Sequence, residues 1–406
     1  MKIAQINVTC GTGSTGKICE ALSEKMTQYG IENAVFYSSG QSDLSKAKKY
    51  MTDNDVKFQA LKSHIFGKYG FCSSKATSSL IKELKRFKPD IVHLHNLHGH
   101  NCNLKKLFLF FQETKIKVLW TFHDCWAFTA YCPHFTMVGC DKWKTECKKC
   151  PQRKKFSWFF DKSKYLFENK KEFFTSLDLT IVTPSEWLAE LVKQSFLKDY
   201  PVKVINNGID LSVFRPRESD FRKKYGIPEN KFLLLGVAFD WGVRKGLDVF
   251  IELFKRLPQE QFQIILVGTN KNIDKRLPKG IISIHRTQNQ IKLAEIYTAA
   301  DVFINPTREE VLGLVNIESL ACGTPVITFD TGGSPECIDK TCGAVVPCGD
   351  VETLEKEIIR VCEQKLYSVE DCIKRAKVFD QNEKYKEYLS LYEELYEGII
   401  NSRISD

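Results

Sequence analysis

The chain has 406 residues, 43% of them hydrophobic and 27% charged, which is enough for two or three domains with cores of their own. No apolar run approaches the roughly 20 residues of a membrane-spanning helix, and the 15 cysteines, odd in number and scattered through apolar stretches, argue against a disulfide framework. The net charge of +9 is uneven: residues 1–205 carry 32 Lys and Arg against 19 Asp and Glu, and residues 206–406 carry 27 against 31, so the first half suits an anionic membrane surface or a phosphate-bearing acceptor, or is simply a solvated lysine-rich surface.

The start, Met1-Lys2-Ile3-Ala4-Gln5-Ile6-Asn7-Val8, reads as a first strand. No apolar leader or cleavage site follows it, which predicts a cytoplasmic protein. A glycine-rich turn then leads to a helix over 16–29, a strand over 32–37 and a helix over 78–87 that Lys88-Pro89 ends. Short β-branched or aromatic runs at 90–95, 118–122 and 179–184 predict buried strands. The region of about 124–158 is polar, aromatic and basic, with little helical or strand periodicity. Asn206-Asn207-Gly208-Ile209-Asp210, followed by Phe214-Arg215-Pro216, reads as an interdomain turn. The pattern then restarts, with strands at 232–239, 263–267, 281–284, 302–305, 325–329 and 344–346. From about 382 the apolar residues Tyr385, Tyr388, Leu389, Leu391, Tyr392 and Leu395 fall at helical spacing. Strands alternating with helices predict α/β domains, each a doubly wound parallel sheet.

Glu310-Val-Leu-Gly313-Leu314-Val-Asn-Ile-Glu318 follows a predicted strand and opens a helix that Gly323-Thr324-Pro325 ends. A helix start with small residues offers backbone N–H groups to a diphosphate. Glu310 suits sugar hydroxyls, and Glu318, deeper in, suits ribose hydroxyls. Gly11-Thr12-Gly13-Ser14-Thr15-Gly16 allows close backbone approach to a ligand. No acidic residue ends the second strand, so a dinucleotide site is rejected. His93-Leu94-His95-Asn96-Leu97-His98-Gly99-His100 and Thr121-Phe122-His123-Asp124 end predicted strands, where α/β sites collect.

With Ser319 to Ile327 following Glu310–Glu318, the sequence resembles the E-x7-E signature of the GT4 family of retaining glycosyltransferases. Thr331-Gly332-Gly333-Ser334-Pro335-Glu336 is similar to that family's glycine-rich loop, and Arg244-Lys245-Gly246-Leu247-Asp248 to its donor-phosphate motif. The resemblance runs from Lys2 to about Tyr396 and is strongest to a capsule and exopolysaccharide (colanic-acid-type) subgroup. It implies the GT-B fold: residues 1–205 as an acceptor-binding Rossmann-like domain with a Cys-rich insertion at about 124–158, and 206–381 as a nucleotide-sugar-binding one. The C-terminal helix, about 382–402, is left free to pack back on the first domain.

The implied reaction moves a sugar from a nucleotide diphosphate sugar to a glycan or lipid-linked acceptor in bacterial cell-surface polysaccharide biosynthesis, at the inner face of the plasma membrane. Nucleic acid is not an expected partner. His123, Glu310, Lys245 and Arg244 are the implied catalytic set. Gly313, Leu314, Glu318, Gly332 and Gly333 hold the donor, and Gly11, Gly13 and Asp124 lie on the acceptor side. No catalytic cofactor is implied, because the basic pair neutralises the leaving diphosphate. One departure is Asp240, where many members have arginine. The subgroup resemblance also covers Cys132, Cys140, Cys147 and Cys150, which suit a structural zinc knuckle; reduced, unrelated thiols in a loop are the alternative. Rival functions are a sugar-nucleotide epimerase on the same fold and a non-catalytic glycan- or nucleic-acid-binding protein.

Overall fold

The structure is a computed structural model describing residues 1–405. The run Ile3–Ile6, buried on both faces, forms β1 (Lys2–Asn7). Strands buried on both sides belong inside parallel sheets, and β1 pairs in parallel with both β2 (Glu32–Tyr37) and β4 (Ile91–Leu94). β3 (Ala47–Lys49), β5 (Lys117–Thr121), β6 (Leu179–Thr183) and β7 (Val202–Val204) complete a parallel sheet of order β3-β2-β1-β4-β5-β6-β7.

One face of this sheet is covered by the helix Gly13–Gln28 and by the C-terminal helix Gln381–Ser405. Tyr385, Tyr388, Leu389, Leu391 and Tyr392 of the latter pack with Ile3, Ile18, Leu22, Ile91 and Leu119. In another aromatic cluster of this unit, Phe108, Trp120 and Phe174 meet with ring centroids 4.4 to 5.6 Å apart. Each such side chain contributes roughly 1.5–3 kcal/mol by leaving water.

The second sheet joins β8 (Phe232–Val237), β9 (Phe262–Val267), β10 (Ile282–Ile284), β11 (Val302–Asn305), β12 (Val326–Phe329) and β13 (Gly343–Val346), in the order β10-β9-β8-β11-β12-β13 and parallel throughout. Successive residues feed opposite faces. Leu233, Leu235, Ile265 and Phe303 enter one core, and Leu234, Ile264, Leu266 and Ile304 the other. The chain thus divides into two compact units, Met1–Ile205 with the segment from Tyr385 on, and Asn206–Lys384.

Sequence periodicity missed the three-residue strands β3 and β7. It also missed the helices Asp53–Phe66, Leu104–Thr114 and Ser163–Phe174. Two of these carry side-chain N-caps: Thr52 accepts from the Asp55 amide at 3.2 Å and Asn103 from the Lys106 amide at 3.0 Å. Among the described residues, no helix is long and apolar enough to cross a membrane.

Candidate active site

In each sheet the strand order reverses once, between β1 and β4 and between β8 and β11. Crevices at the carboxyl ends of such neighbouring strands are where open α/β sheets bind ligands. The candidate residues gather at these two places, one in each unit.

In the second unit, the chain leaving β8 makes a short 3₁₀ turn, Val243–Lys245, and the chain leaving β11 carries Glu310. The Lys245 ammonium donates to Glu310 Oε2 at 2.5 Å, with the two side chains 18% and 20% exposed. Gly246 sits at φ +74°, and a Cβ there would lie 2.4 Å from the Pro306 carbonyl oxygen. Only glycine lets the two loops close on each other at this point. The Arg244 carbonyl accepts from the Arg308 amide at 2.8 Å. The Arg308 guanidinium clamps Asp248 with two bonds, 2.9 and 2.7 Å, a bidentate geometry. Arg308 is therefore committed to the scaffold.

Gly313, at φ +89°, caps the helix Leu314–Ala321. Gly332 lies against the Glu310 backbone: a Cβ on it would stand 1.7 Å from the Glu310 carbonyl oxygen. The Gly333 amide donates to that same oxygen at 3.3 Å. Lys245, Glu310, Gly313 and the Gly332-Gly333 turn are thus brought together. Glu318 lies one turn further along the helix, half-buried, and accepts from the Tyr297 hydroxyl at 3.1 Å. Asp240 is exposed, and Phe239 beside it is fully so.

Sequence reasoning missed the network that holds these loops. Asn316 donates to the Ser334 hydroxyl at 2.9 Å and accepts from the Asn305 amide at 2.8 Å. The Thr328 hydroxyl lies 2.7 Å from that of Ser334 and donates to the Asn305 carbonyl at 3.0 Å. All four side chains are buried, so the bonds join β11, β12, the helix and the glycine turn away from water, where an unpaired group is costly. The signal was present as polar residues inside apolar runs.

In the first unit, Gly11 and Gly13 have φ of +74° and +70° between β1 and its helix, and the Gly11 amide closes the loop on the Gly16 carbonyl at 3.0 Å. Asn7 at the end of β1 accepts from the Asn96 amide at 3.1 Å, tying this loop to the one after β4. Asp124 uses both carboxylate oxygens: His98 Nε2–H donates to one at 2.7 Å and the Trp126 amide to the other at 2.8 Å. Burial would raise the Asp124 pKa, but the adjacent His98 and these bonds hold it at about 2.

His123 belongs to a chain of imidazoles. The Gln5 side-chain amide donates to the Cys19 carbonyl at 3.0 Å, which turns its oxygen toward His95 Nε2 at 3.1 Å. His95 must donate there, so its Nδ1 accepts from His123 Nε2–H at 3.1 Å. That assignment leaves the lone pair of neutral His123 on Nδ1. Burial holds His123 down at about 4 against the opposing charge of Asp124, and drives His95 further below the usual range. Behind them, His93 lies between the Tyr392 hydroxyl at 2.6 Å and the Thr121 hydroxyl at 2.8 Å, and burial holds it at about 3.

Cys132, Cys140, Cys147 and Cys150 line one cavity of about 20 Å³. The Cys132 and Cys150 sulfurs lie 3.9 Å apart. Among the described residues, no group of three or more His, Cys, Asp and Glu side chains is placed to hold a metal ion. Packing also holds the insertion: the rings of Phe128, Phe135 and Trp143 meet at 5.0 to 6.5 Å. The buried Lys170 ammonium donates to the Trp126 and Thr129 carbonyls at 2.7 and 2.9 Å, 3.4 Å over the Trp126 ring.

Two family models divide the chain between them. Residues 15–213 match Glycosyltransferase Family 4, and residues 217–379 match Glycosyl transferases group 1. WcaC of Escherichia coli K12, a glycosyl transferase provisionally assigned to colanic acid biosynthesis, is 24% identical over 372 residues, covering 85% of this chain and 87% of WcaC. Among solved structures, sucrose-phosphate synthase from Thermosynechococcus elongatus aligns with a TM-score of 0.71 at 18% identity, covering 98% of this chain and 99% of that one. HepE from Anabaena, in complex with UDP-glucose, aligns with a TM-score of 0.68 at 13% identity, covering 97% and 100%.

Proposed function

As a member of the family-4 glycosyltransferases, with the GT-B fold, this chain is an enzyme of glycosyl transfer, and we propose that it moves a sugar with retention from a nucleotide diphosphate sugar to a saccharide or lipid-linked saccharide in bacterial cell-surface polysaccharide biosynthesis. The observation that carries the donor half is the meeting of Lys245, Glu310, the Gly313 helix start and the Gly332-Gly333 turn beside the β8/β11 reversal. In this reading Lys245 and Arg244 neutralise the leaving diphosphate, the largest electrostatic demand of the reaction. Amides from Leu314 onward and at the glycine turn receive phosphate oxygens. Glu310, freed from Lys245 as the phosphates arrive, accepts from sugar hydroxyls. Glu318 accepts from the ribose.

The first unit supplies the acceptor side. The Gly11–Gly13 loop leaves backbone open to a ligand. The Nδ1 lone pair of His123 is oriented to accept from a sugar hydroxyl. Asp124, with both oxygens engaged, fixes the loop geometry as well as facing the acceptor. The leaving phosphate takes the acceptor's proton as the new bond forms on the same face, so no carboxylate pair is required. The UDP-glucose complex of HepE supports a nucleotide diphosphate sugar as donor, and the name of WcaC supports a polysaccharide intermediate as acceptor.

Calorimetry with UDP-, GDP-, ADP-, TDP- and CMP-sugars tests the donor half. Binding of one donor class that Lys245→Ala abolishes is the expected result. A blank series in the folded wild type would overturn the reading. Epimerised donor formed without any acceptor would replace transfer with the rival reaction.

A further inference from the structure

β4 and β5 carry candidate acceptor residues beyond their carboxyl ends. At the amino ends of β4, β5 and β6 the same unit holds a cavity of about 700 Å³. Its lining includes Asp90, just before β4, Lys117, which opens β5, and Asp178, just before β6. That volume is in the range that takes one small ligand, and the transfer reading makes no use of it.

Part of the lining is apolar. Leu84 and Phe110 are buried, and Ile116, Leu395 and Ile399 are half-buried. Lys85, Lys88 and Lys115 add three exposed ammonium groups that form no ion pair among the described residues. Two helices, Ser74–Phe87 and Leu104–Thr114, end at Lys88 and Lys115. Each helix end carries roughly half a negative charge, which a whole lysine charge more than offsets. The acids of the cavity are engaged: Asp178 pairs with Lys117 at 2.5 Å, Glu394 with Lys203 at 3.5 Å, and Asp90 accepts from the Lys2 amide at 2.8 Å. Three lysines are thus left for an incoming anion.

The C-terminal helix forms one wall, and Gly398, its only glycine, lies in that wall. Glycine weakens a helix relative to alanine. The backbone at Gly398 is helical, so no left-handed turn requires the glycine. Close packing does not require it either, because no packed neighbour lies within 4 Å of the place a Cβ would take. What the missing side chain leaves is room in the cavity.

We propose that this cavity is a second ligand site, for a small organic phosphate whose apolar body lies along Phe110, Ile116 and Ile399 and whose phosphate meets Lys85, Lys88 and Lys115. Lysines hold phosphate as point charges, and burial of the apolar body adds to that attraction. The inference is independent of the transfer reading, and either can fail without the other.

The test is calorimetry of the full chain with naphthyl phosphate, naphthol and inorganic phosphate, in the absence of nucleotide sugar. Naphthyl phosphate is expected to bind at least ~tenfold more tightly than either fragment, and to weaken as salt rises. Gly398→Trp fills the cavity from its wall and should reduce that binding at least ~tenfold. Lys88→Asn with Lys115→Asn should do the same, since asparagine tolerates the left-handed backbone of these two positions. Gly398→Ala should keep the binding and melt higher than wild type, because nothing stands where its methyl group goes. Unchanged circular dichroism checks that the tryptophan and asparagine variants fold. No binding of naphthyl phosphate, binding no tighter than that of inorganic phosphate, or equal binding by Gly398→Trp overturns the proposal. So does a Gly398→Ala protein that melts lower than wild type, since the glycine would then serve packing.

Discussion

Lowering the pH from 7 to 5.5 should selectively weaken the first unit. His93 and His95 are 0% and 1% exposed. Burial holds His93 at about 3 and His95 well below the ordinary imidazole range. Below about 6.5 the unfolded chain takes up protons that the folded unit refuses, so stability is complete above that pH and is lost as pH falls. Each ring should contribute about 1.3 kcal/mol less at pH 5.5 than at pH 7, and the pair about 2.5 kcal/mol. Asp124, held at about 2, is a depressed carboxylate whose contribution is lost only below about pH 4, outside this window. Urea unfolding followed by tryptophan emission reads mainly this unit, because Trp120, Trp126, Trp143, Trp158 and Trp187 lie in it and only Trp241 in the other. His93→Gln keeps polar atoms toward Tyr392 and Thr121 but cannot titrate, and because His123 and His100 of the same unit are also held at about 4, it should lose roughly a quarter of the pH sensitivity. A wild-type midpoint that does not fall between pH 7 and 5.5, or an equal fall in His93→Gln, would refute the reasoning.

Three further outcomes concern the second unit. Lys245→Ala should lower kcat by roughly 10²–10³-fold through loss of charge opposite the diphosphate, measured as initial rates with the donor identified by calorimetry. Gly332→Ala places a methyl group 1.7 Å from the Glu310 carbonyl oxygen at φ +58°, so the loop must move; nucleotide binding should weaken at least ~tenfold, while circular dichroism stays near wild type. Asn316→Ala strands the Asn305 amide and loosens Ser334, and should cost about 2–3 kcal/mol in urea unfolding; a change under about 0.5 kcal/mol would mean that water replaces the lost partner.

The two sheets were legible because their inner strands are apolar on both faces, as at Leu233–Leu235 and Ile264–Val267. β3 and β7 were not, because both are three residues long and include lysines, with burial too incomplete to leave a pattern. Lys245 and Glu310 were readable as separate motifs, since each follows a central strand. Their ion pair was not, because 65 residues separate them. The clamp of Arg308 on Asp248 was hidden for the same reason, and in sequence Arg308 looks like any surface charge. The imidazole chain was visible as histidines, but its proton assignment needs Gln5, which sits 90 residues from His95.

The return of the chain to its first sheet has a consequence for synthesis. The strands of that sheet are complete once residue 204 has emerged from the ribosome, but His93 still lacks Tyr392, and the face of Ile3, Ile91 and Leu119 is covered only in part, by the helix Gly13–Gln28. The second unit, made next, ends at Lys384, within the first turn of the last helix. Its two connections are already side by side, the Ile209 amide bonded to the Phe379 carbonyl at 2.9 Å and the Gln381 amide to the Ile209 carbonyl at 3.0 Å. Vectorial folding of whole domains therefore favours the later-made unit finishing first. The earlier one waits for the last two dozen residues, and a chain cut after Lys384 would carry a whole second unit and a first sheet with one side only partly covered.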